Sequence, residues 1–270
     1  MINPEIENKV AIITGANAGI GASIARALAS QGALVVIHYL NPENSEPKSD
    51  NAYSIEHSLE GEKAAIEVVS SINSSGGKAV SISGDLNDSG VITKLFDFAE
   101  NEFGPVEILV NNAAHCELPD TIKNFTPKSI ERHFRINTKA AVQLIHEFYL
   151  RKQHHGVPTG RIVNISTDAA QCFPNQISYG ASKAALEAYT RSLAVELGPN
   201  DITVNCIAPG PIQTGWIDSE LEQQILQSVP IKRLGLPEDI ANAVLFFVSV
   251  QAGWVSGQVI KVSGGYTNRI

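Results

Sequence analysis

Seven aliphatic runs that do not alternate with polar residues limit what this chain can become. They are KVAIIT (9–14), ALVVIHY (33–39), the weaker KAVSIS (78–83), EILVNN (107–112), RIVNIS (161–166), ITVNCIA (202–208) and QVIKVSG (258–264). A strand with one wet face alternates apolar and polar side chains, whereas an unbroken Val/Ile run has both faces covered. Between the runs lie helical stretches at 20–31, 60–75, 89–103, 129–152, 178–197 and 237–250. Strand and helix taking turns in this way predict a doubly wound α/β fold, with a parallel sheet between two layers of helix. No internal repeat or linker composition interrupts the pattern, so residues 1–270 read as a single domain.

One segment breaks the rhythm. Residues 41–58, NPENSEPKSDNAYSIEHS, separate the second strand from its helix. Their Asn, Ser, Pro and Glu content is that of a loop, and their length exceeds the usual few residues of such a connection. Bulk properties exclude several functions. A formal charge of −8 argues against a general binder of nucleic acid or of anionic membrane surfaces. No apolar run reaches the roughly 18 residues of a membrane span, and the polar, acidic start MINPEIENKV does not read as a secretory leader. Cys116, Cys172 and Cys206 are odd in number and show no Cys-x-x-Cys spacing, which predicts reduced thiols and a cytoplasmic setting.

Two motifs carry chemistry. TGANAGIG (14–21) follows the first strand and opens the first helix, with Gly15, Gly19 and Gly21 spaced G-x-x-x-G-x-G. Glycine permits positive φ and lets a pyrophosphate approach the backbone, while the helix start offers unpaired amides to that anion. Between a strand and a helix this is a candidate dinucleotide site. In YGASK (179–183), Tyr179 and Lys183 stand four apart and share one helix face. The small residues Gly180, Ala181 and Ser182 between them leave room for something bulky.

With these motifs the chain resembles the short-chain dehydrogenase/reductase family over nearly its whole length. Thr14–Gly21 matches the glycine motif, and NNAA (111–114) matches the Asn-Asn-Ala-Gly motif with Ala114 in place of the last glycine. Asn137 in RINTKA, Ser166 in VNIST and YGASK, thirteen residues beyond Ser166, follow in order. PGPIQT (209–214), RLGLPEDIA (233–241) and VSGQVIKVSGG (255–265) complete the pattern. The resemblance implies a Rossmann-like sheet and an oxidoreductase that moves a hydride between a nicotinamide cofactor and a carbonyl or secondary alcohol. It makes Tyr179 the general acid/base, Lys183 its cation and a ribose contact, Ser166 the donor to the substrate oxygen, and Asn137 the holder of a water.

A cation about 4 Å from a phenol, at an effective dielectric of about 20, favours phenolate by about 4 kcal/mol before desolvation. Lys183 is therefore expected to lower the pKa of Tyr179 toward the working pH. A strand-end serine bonding locally and a helix kink would account for Ser166 and Asn137 taken singly.

By the same resemblance Gly15, Asn17, Gly19, Ile20 and Gly21 face the pyrophosphate. Asp85 and Leu86 hold adenine, unless Asp85 caps the following helix. Asn112 meets the nicotinamide ribose, and Ile212 and Thr214 meet the carboxamide. NAD-specific members end the second strand with an acid, and none occurs from Leu34 to Asn41. NADP is therefore favoured over NAD, with Asn17, His38, Tyr39 and Asn41 as neutral donors. Lys48, beside Glu43 and Glu46 in the insertion, is a candidate to fold back as a flap onto the adenosine end.

On the substrate side the sequence offers His115, Cys116, residues 168–173 and a lid within 211–230 that carries Trp216 and Ile217. His115 has no second ligand spaced near it, so no metal site is expected. Reduction of acyl thioesters on a carrier protein is the alternative within the class. Pro158, Asn200 and Asp201 stand where basic residues would steer such a partner, leaving Arg151, Lys152 and Arg161 to supply a patch. A catalytically idle dinucleotide sensor or scaffold is the alternative outside it, and would not need Asn137, Ser166, Tyr179 and Lys183 together. The resemblance also implies a homotetramer built on residues 129–152, 178–197 and the C-terminal strand.

Overall fold

The computed structural model describes residues 3–41, 53–54 and 61–266. All seven expected strands are present: β1 (Val10–Thr14), β2 (Leu34–Tyr39), β4 (Lys78–Ser83), β5 (Val106–Asn111), β7 (Gly160–Ile165), β8 (Ile202–Pro209) and β9 (Val259–Val262). They form one parallel sheet in the order β4-β2-β1-β5-β7-β8-β9. Every residue of β1 and β8 is buried, as unbroken aliphatic runs require.

Helices α1 (Gly19–Ser30), α2 (Gly61–Ser74) and α8 (Pro237–Val248) pack on one face around Ile13, Ile24, Leu28, Val35 and Phe247. On the other face α3 (Ser89–Phe103), α5 (Ala141–His155) and α6 (Ile177–Leu197) enclose Ile12, Phe96, Leu109 and Phe148. The chain runs outward from β1 through β2 to β4, then returns to start the other half at β5. The strand order therefore reverses between β1 and β5, and a crevice opens there at the carboxyl ends of the strands.

Three features depart from the sequence reading. The expected helix 129–152 is interrupted: α4 (Pro127–Phe134) passes into a π-helical turn, Arg135–Ala140, before α5 begins. The region expected to be a lid contains a helix of its own, α7 (Ser219–Ser228), capped by the Asp218 carboxylate on the Leu221 amide. Within the insertion, β3 (Tyr53–Ser54) pairs antiparallel with β6 (Glu117–Leu118) beyond β5. Glu43, Glu46 and Lys48, and with them the flap reading, lie outside the described residues.

Candidate active site

A cleft of about 720 Å³ fills the crevice. Its floor at one end is the glycine loop. Gly15 and Gly19 hold φ of 61° and 52°, and a Cβ on Gly21 would stand 2.3 Å from the Gly15 carbonyl and 2.5 Å from Asn112 Nδ2. No other residue fits there. Helix α1 starts from Ala18 with no side-chain cap and no acid in its first turn. By contrast α3 is capped by Asp88 and α4 by Thr126. The α1 amides thus keep their donors for an anion in the cleft. Asn17, in the same loop, buries its Nδ2 without a partner, a donor awaiting an acceptor. A glycine cradle, an uncapped helix start and an orphaned amide fit the pyrophosphate of a dinucleotide.

The other expected cofactor residues divide. Ile20, Asp85, Leu86, Asn112, Ile212 and Thr214 line the cleft. The capping alternative for Asp85 is taken by Asp88, whose Oδ1 accepts from the Gly90 amide at 2.8 Å. Asn112 spends its Nδ2 on the Thr14 and Gly15 carbonyls, both at 2.9 Å, and so ties the glycine loop to β5. Tyr39 and Asn41 do not line the cleft, because alternation along β2 turns His38 and Leu40 toward it instead. His38 Nε2 donates to the Gly84 carbonyl at 2.9 Å. Burial lowers its pKa to about 4, so the ring is neutral and Nδ1 is an unpartnered acceptor.

At the centre, Tyr179 and Lys183 both line the cleft from α6. Burial raises the Tyr179 pKa, the neighbouring Cys116 and Asp168 push it the same way, and a hydrogen bond with Thr167 lowers it. The expectation of a depressed phenol is therefore corrected: desolvation outweighs what the site offers the phenolate. Burial also lowers Lys183 to about 8, with its Nζ 2.7 Å from the Ile165 carbonyl. Gly180 does not make room for a ligand. Its missing Cβ would stand 2.4 Å from the Ala169 carbonyl, so it lets the turn Asp168–Ala170 close on α6.

Asn137 sits in the π turn, buried, with Oδ1 accepting from the His115 amide at 2.7 Å. Its Nδ2 donates to the His115 carbonyl and to Ser182 Oγ. Ser182 in turn donates to the Tyr179 carbonyl at 2.7 Å. The Asn137 side chain is thus a strut between the substrate wall and α6. Ser166 lines the cleft as expected, and its hydroxyl donates to Glu187 Oε1 at 2.7 Å.

The substrate end is a wall of mutually satisfied polar groups. Arg132 donates from Nε and Nη2 to the two oxygens of Glu117, and His115 Nε2 donates to Glu117 Oε1 at 2.8 Å. Burial alone would raise the Glu117 pKa, but these donors hold it at about 2. Buried His133 donates from Nδ1 to the Ser129 carbonyl and accepts at Nε2 from the Glu117 amide, which fixes its neutral tautomer. Its ring lies edge-on between His115 and Tyr179, at centroid distances of 5.3 and 6.4 Å. Trp216, Leu221 and Ile225 supply an apolar side, whereas Ile217 is buried beneath.

Two residues at this centre escaped the sequence reading. Thr167 stands one position beyond the expected serine. Asp120 accepts at Oδ2 from the amides of Ser178 and Tyr179, at 2.7 and 2.9 Å, and so caps α6 from a loop 59 residues upstream of Tyr179. A helix lacking its own cap residue was the only sign of the second, since Gln176 makes no side-chain cap.

Comparisons with known proteins agree with this fold. Residues 15–267 match the family model described as enoyl-(acyl carrier protein) reductase. Versicolorin reductase stcU of Emericella nidulans is 34% identical over 97% of each chain. The 7alpha-hydroxysteroid dehydrogenase of Escherichia coli is 38% identical over 97% of this chain and 96% of its own. A solved 7alpha-hydroxysteroid dehydrogenase, complexed with NADH and 7-oxo glycochenodeoxycholic acid, superposes with a TM-score of 0.85 at 37% identity, covering 99% of this chain and 97% of that one.

Proposed function

Since this chain belongs to the short-chain dehydrogenase/reductase family of nicotinamide-dependent oxidoreductases acting on carbonyls and alcohols, we propose that it reduces a ketone to a secondary alcohol with NADPH. The observation that carries the reading is that Tyr179 and Lys183 line the same cleft as the glycine loop. In the direction of reduction the Tyr179 hydroxyl, protonated at neutral pH, is the proton donor.

The glycine loop, Asn17 and the α1 amides would hold the pyrophosphate, and Asp85 and Leu86 the adenine. Lys183, Ile212 and Thr214 would hold the nicotinamide half. When bound, the reduced cofactor supplies hydride to the carbonyl carbon. Tyr179 passes its proton to the carbonyl oxygen. Lys183, at about 8, is still cationic at pH 7 and favours the phenolate left behind. Closure of residues 211–230 over the substrate would exclude water.

NADPH is favoured because the end of β2 presents His38 and Leu40 to the cleft and carries no carboxylate to repel a 2′-phosphate. A carrier-protein substrate is disfavoured. Arg151 is engaged by Asp97, Glu100 and Glu147, and Lys152 Nζ by the Pro158 and Asn200 carbonyls, so neither is free to steer an acidic partner. The homotetramer that the family resemblance implies would cover exposed Leu150 on α5 and exposed Tyr189 and Val195 on α6. No described helix is long and apolar enough to cross a membrane.

A panel of keto steroids, quinones, keto sugars and acyl thioesters, run with both cofactors, tests the reading. The expected result is ketone turnover with kcat/KM at least about threefold higher for NADPH, and loss of at least about a hundredfold in kcat in Tyr179→Phe. A tenfold preference for NADH rejects the cofactor assignment, and a Tyr179→Phe variant keeping more than a tenth of wild-type kcat rejects the mechanism.

A further inference from the structure

We propose that Asp168 determines substrate specificity, and that the ketone this cleft prefers carries a protonated amine for the Asp168 carboxylate to hold. The inference rests on the oxidoreductase reading above and adds to it a class of substrate. Asp168 lines the cleft together with Tyr179. Its place on that wall has a structural cause. Bare Gly180, next in the chain to Tyr179, lets the turn Asp168–Ala170 settle onto the first turn of α6.

The carboxylates at this end of the cleft are not alike. Glu117 receives two donors from Arg132 and one from His115. Asp120 receives the amides of Ser178 and Tyr179. Asp168 receives one side-chain donor, the Thr167 hydroxyl, at 3.2 Å, which is long for such a bond. Burial raises its pKa, and Thr167, the amides of its own turn and Lys261 offset that only in part. Lys261 is not its counter-ion, because the Lys261 Nζ donates to Gln171 Oε1 at 2.6 Å. Among the described residues no Lys, Arg or His forms an ion pair with Asp168.

Charged groups held away from water are normally paired, and a ligand can bring the missing charge. A protonated amine offers up to three donors and a full positive charge, where a hydroxyl offers one donor and none. The surroundings suit a cation. Phe173, Trp216 and Tyr266 line the same cleft, and aromatic faces attract cations as well as apolar groups. Arg132 would repel one, but Glu117 holds it in a two-bond pair. The formal charge of −8 on the whole chain draws cations toward it.

The test uses three ketones of one shape that end in a primary amine, a hydroxyl or a carboxylate. Initial rates with NADPH and melting temperatures are measured for wild type and for Asp168→Asn. In wild type kcat/KM should be at least about tenfold higher for the amino ketone than for the hydroxy ketone, and lowest for the keto acid. In Asp168→Asn the amine-to-hydroxyl ratio should fall at least about tenfold, mainly through KM. A purely structural role would lower all three rates together and leave the ratio as it was. Binding is read separately, by titrating cyclohexylmethylamine and cyclohexylmethanol into the NADPH-loaded protein and following the cofactor's fluorescence. The amine should bind at least about tenfold more tightly than the alcohol in wild type, and lose that advantage in Asp168→Asn. Equal use of the amino and hydroxy ketones, or an amine preference that survives Asp168→Asn, overturns the inference. If the amine binds through Asp168 and no ketone is turned over, the oxidoreductase reading fails and the amine site stands.

Discussion

The two ends of the cleft are built on opposite principles. At the glycine loop the protein leaves bonds unmade: α1 has no cap, Asn17 Nδ2 has no partner, and neither has His38 Nδ1. At the substrate wall it makes nearly all of them. Glu117 takes Arg132 and His115, His133 takes two backbone groups, Asn137 takes His115 and Ser182, and Asp120 takes the amides of Ser178 and Tyr179. An unmade buried bond costs stability until a ligand makes it. The first end is thus poised to gain from binding a polar ligand, and the second to hold Tyr179 still while different substrates come and go.

Three substitutions would break or sharpen that contrast. The largest effect is expected from Gly21→Val, whose side chain has no space between the Gly15 carbonyl and Asn112. NADPH affinity should fall by at least about a hundredfold, or about 2.7 kcal/mol, in a fluorescence titration. Binding within threefold of wild type would show that the loop is not a cradle. Next comes Asp120→Ala, which strips two buried amides of a charged acceptor. It should cost about 2–4 kcal/mol of stability in denaturant melts and lower kcat, with little change in NADPH affinity. A wild-type melt would deny the wall its role in holding α6. The smallest effect is expected from Asn17→Ala. It should weaken NADPH binding by about threefold to tenfold while leaving the melt of the free protein unchanged, since no bond is lost there. If stability fell and affinity held, the two ends would not differ in the way described.

The same contrast explains what the sequence disclosed. Aliphatic runs that alternate with helices cannot hide, and each of the seven strands lies within two residues of its expected place. The glycine loop was legible because its backbone geometry and close approach admit glycine and little else. The wall was not, because its bonds join residues far apart in the chain, such as Asp120 and Tyr179, whose separation no local pattern records. The π turn was invisible for another reason, since a shift of backbone bonding from α to π leaves no mark in composition.

That π turn bears on which changes of length the chain can absorb. It accommodates one residue more than an α turn would. Deleting one residue from 135–140 would let α4 and α5 join as one ordinary helix with both flanks still in phase, but the backbone inside the turn would shift and take Asn137 off His115 and Ser182. In a library of one-codon deletions, this stretch should stand out as an intolerant notch inside a helix, beside the permissive surface loop at 121–126. The extra residue is thus part of the gene's reading length that cannot be trimmed, although nothing in its own chemistry would say so.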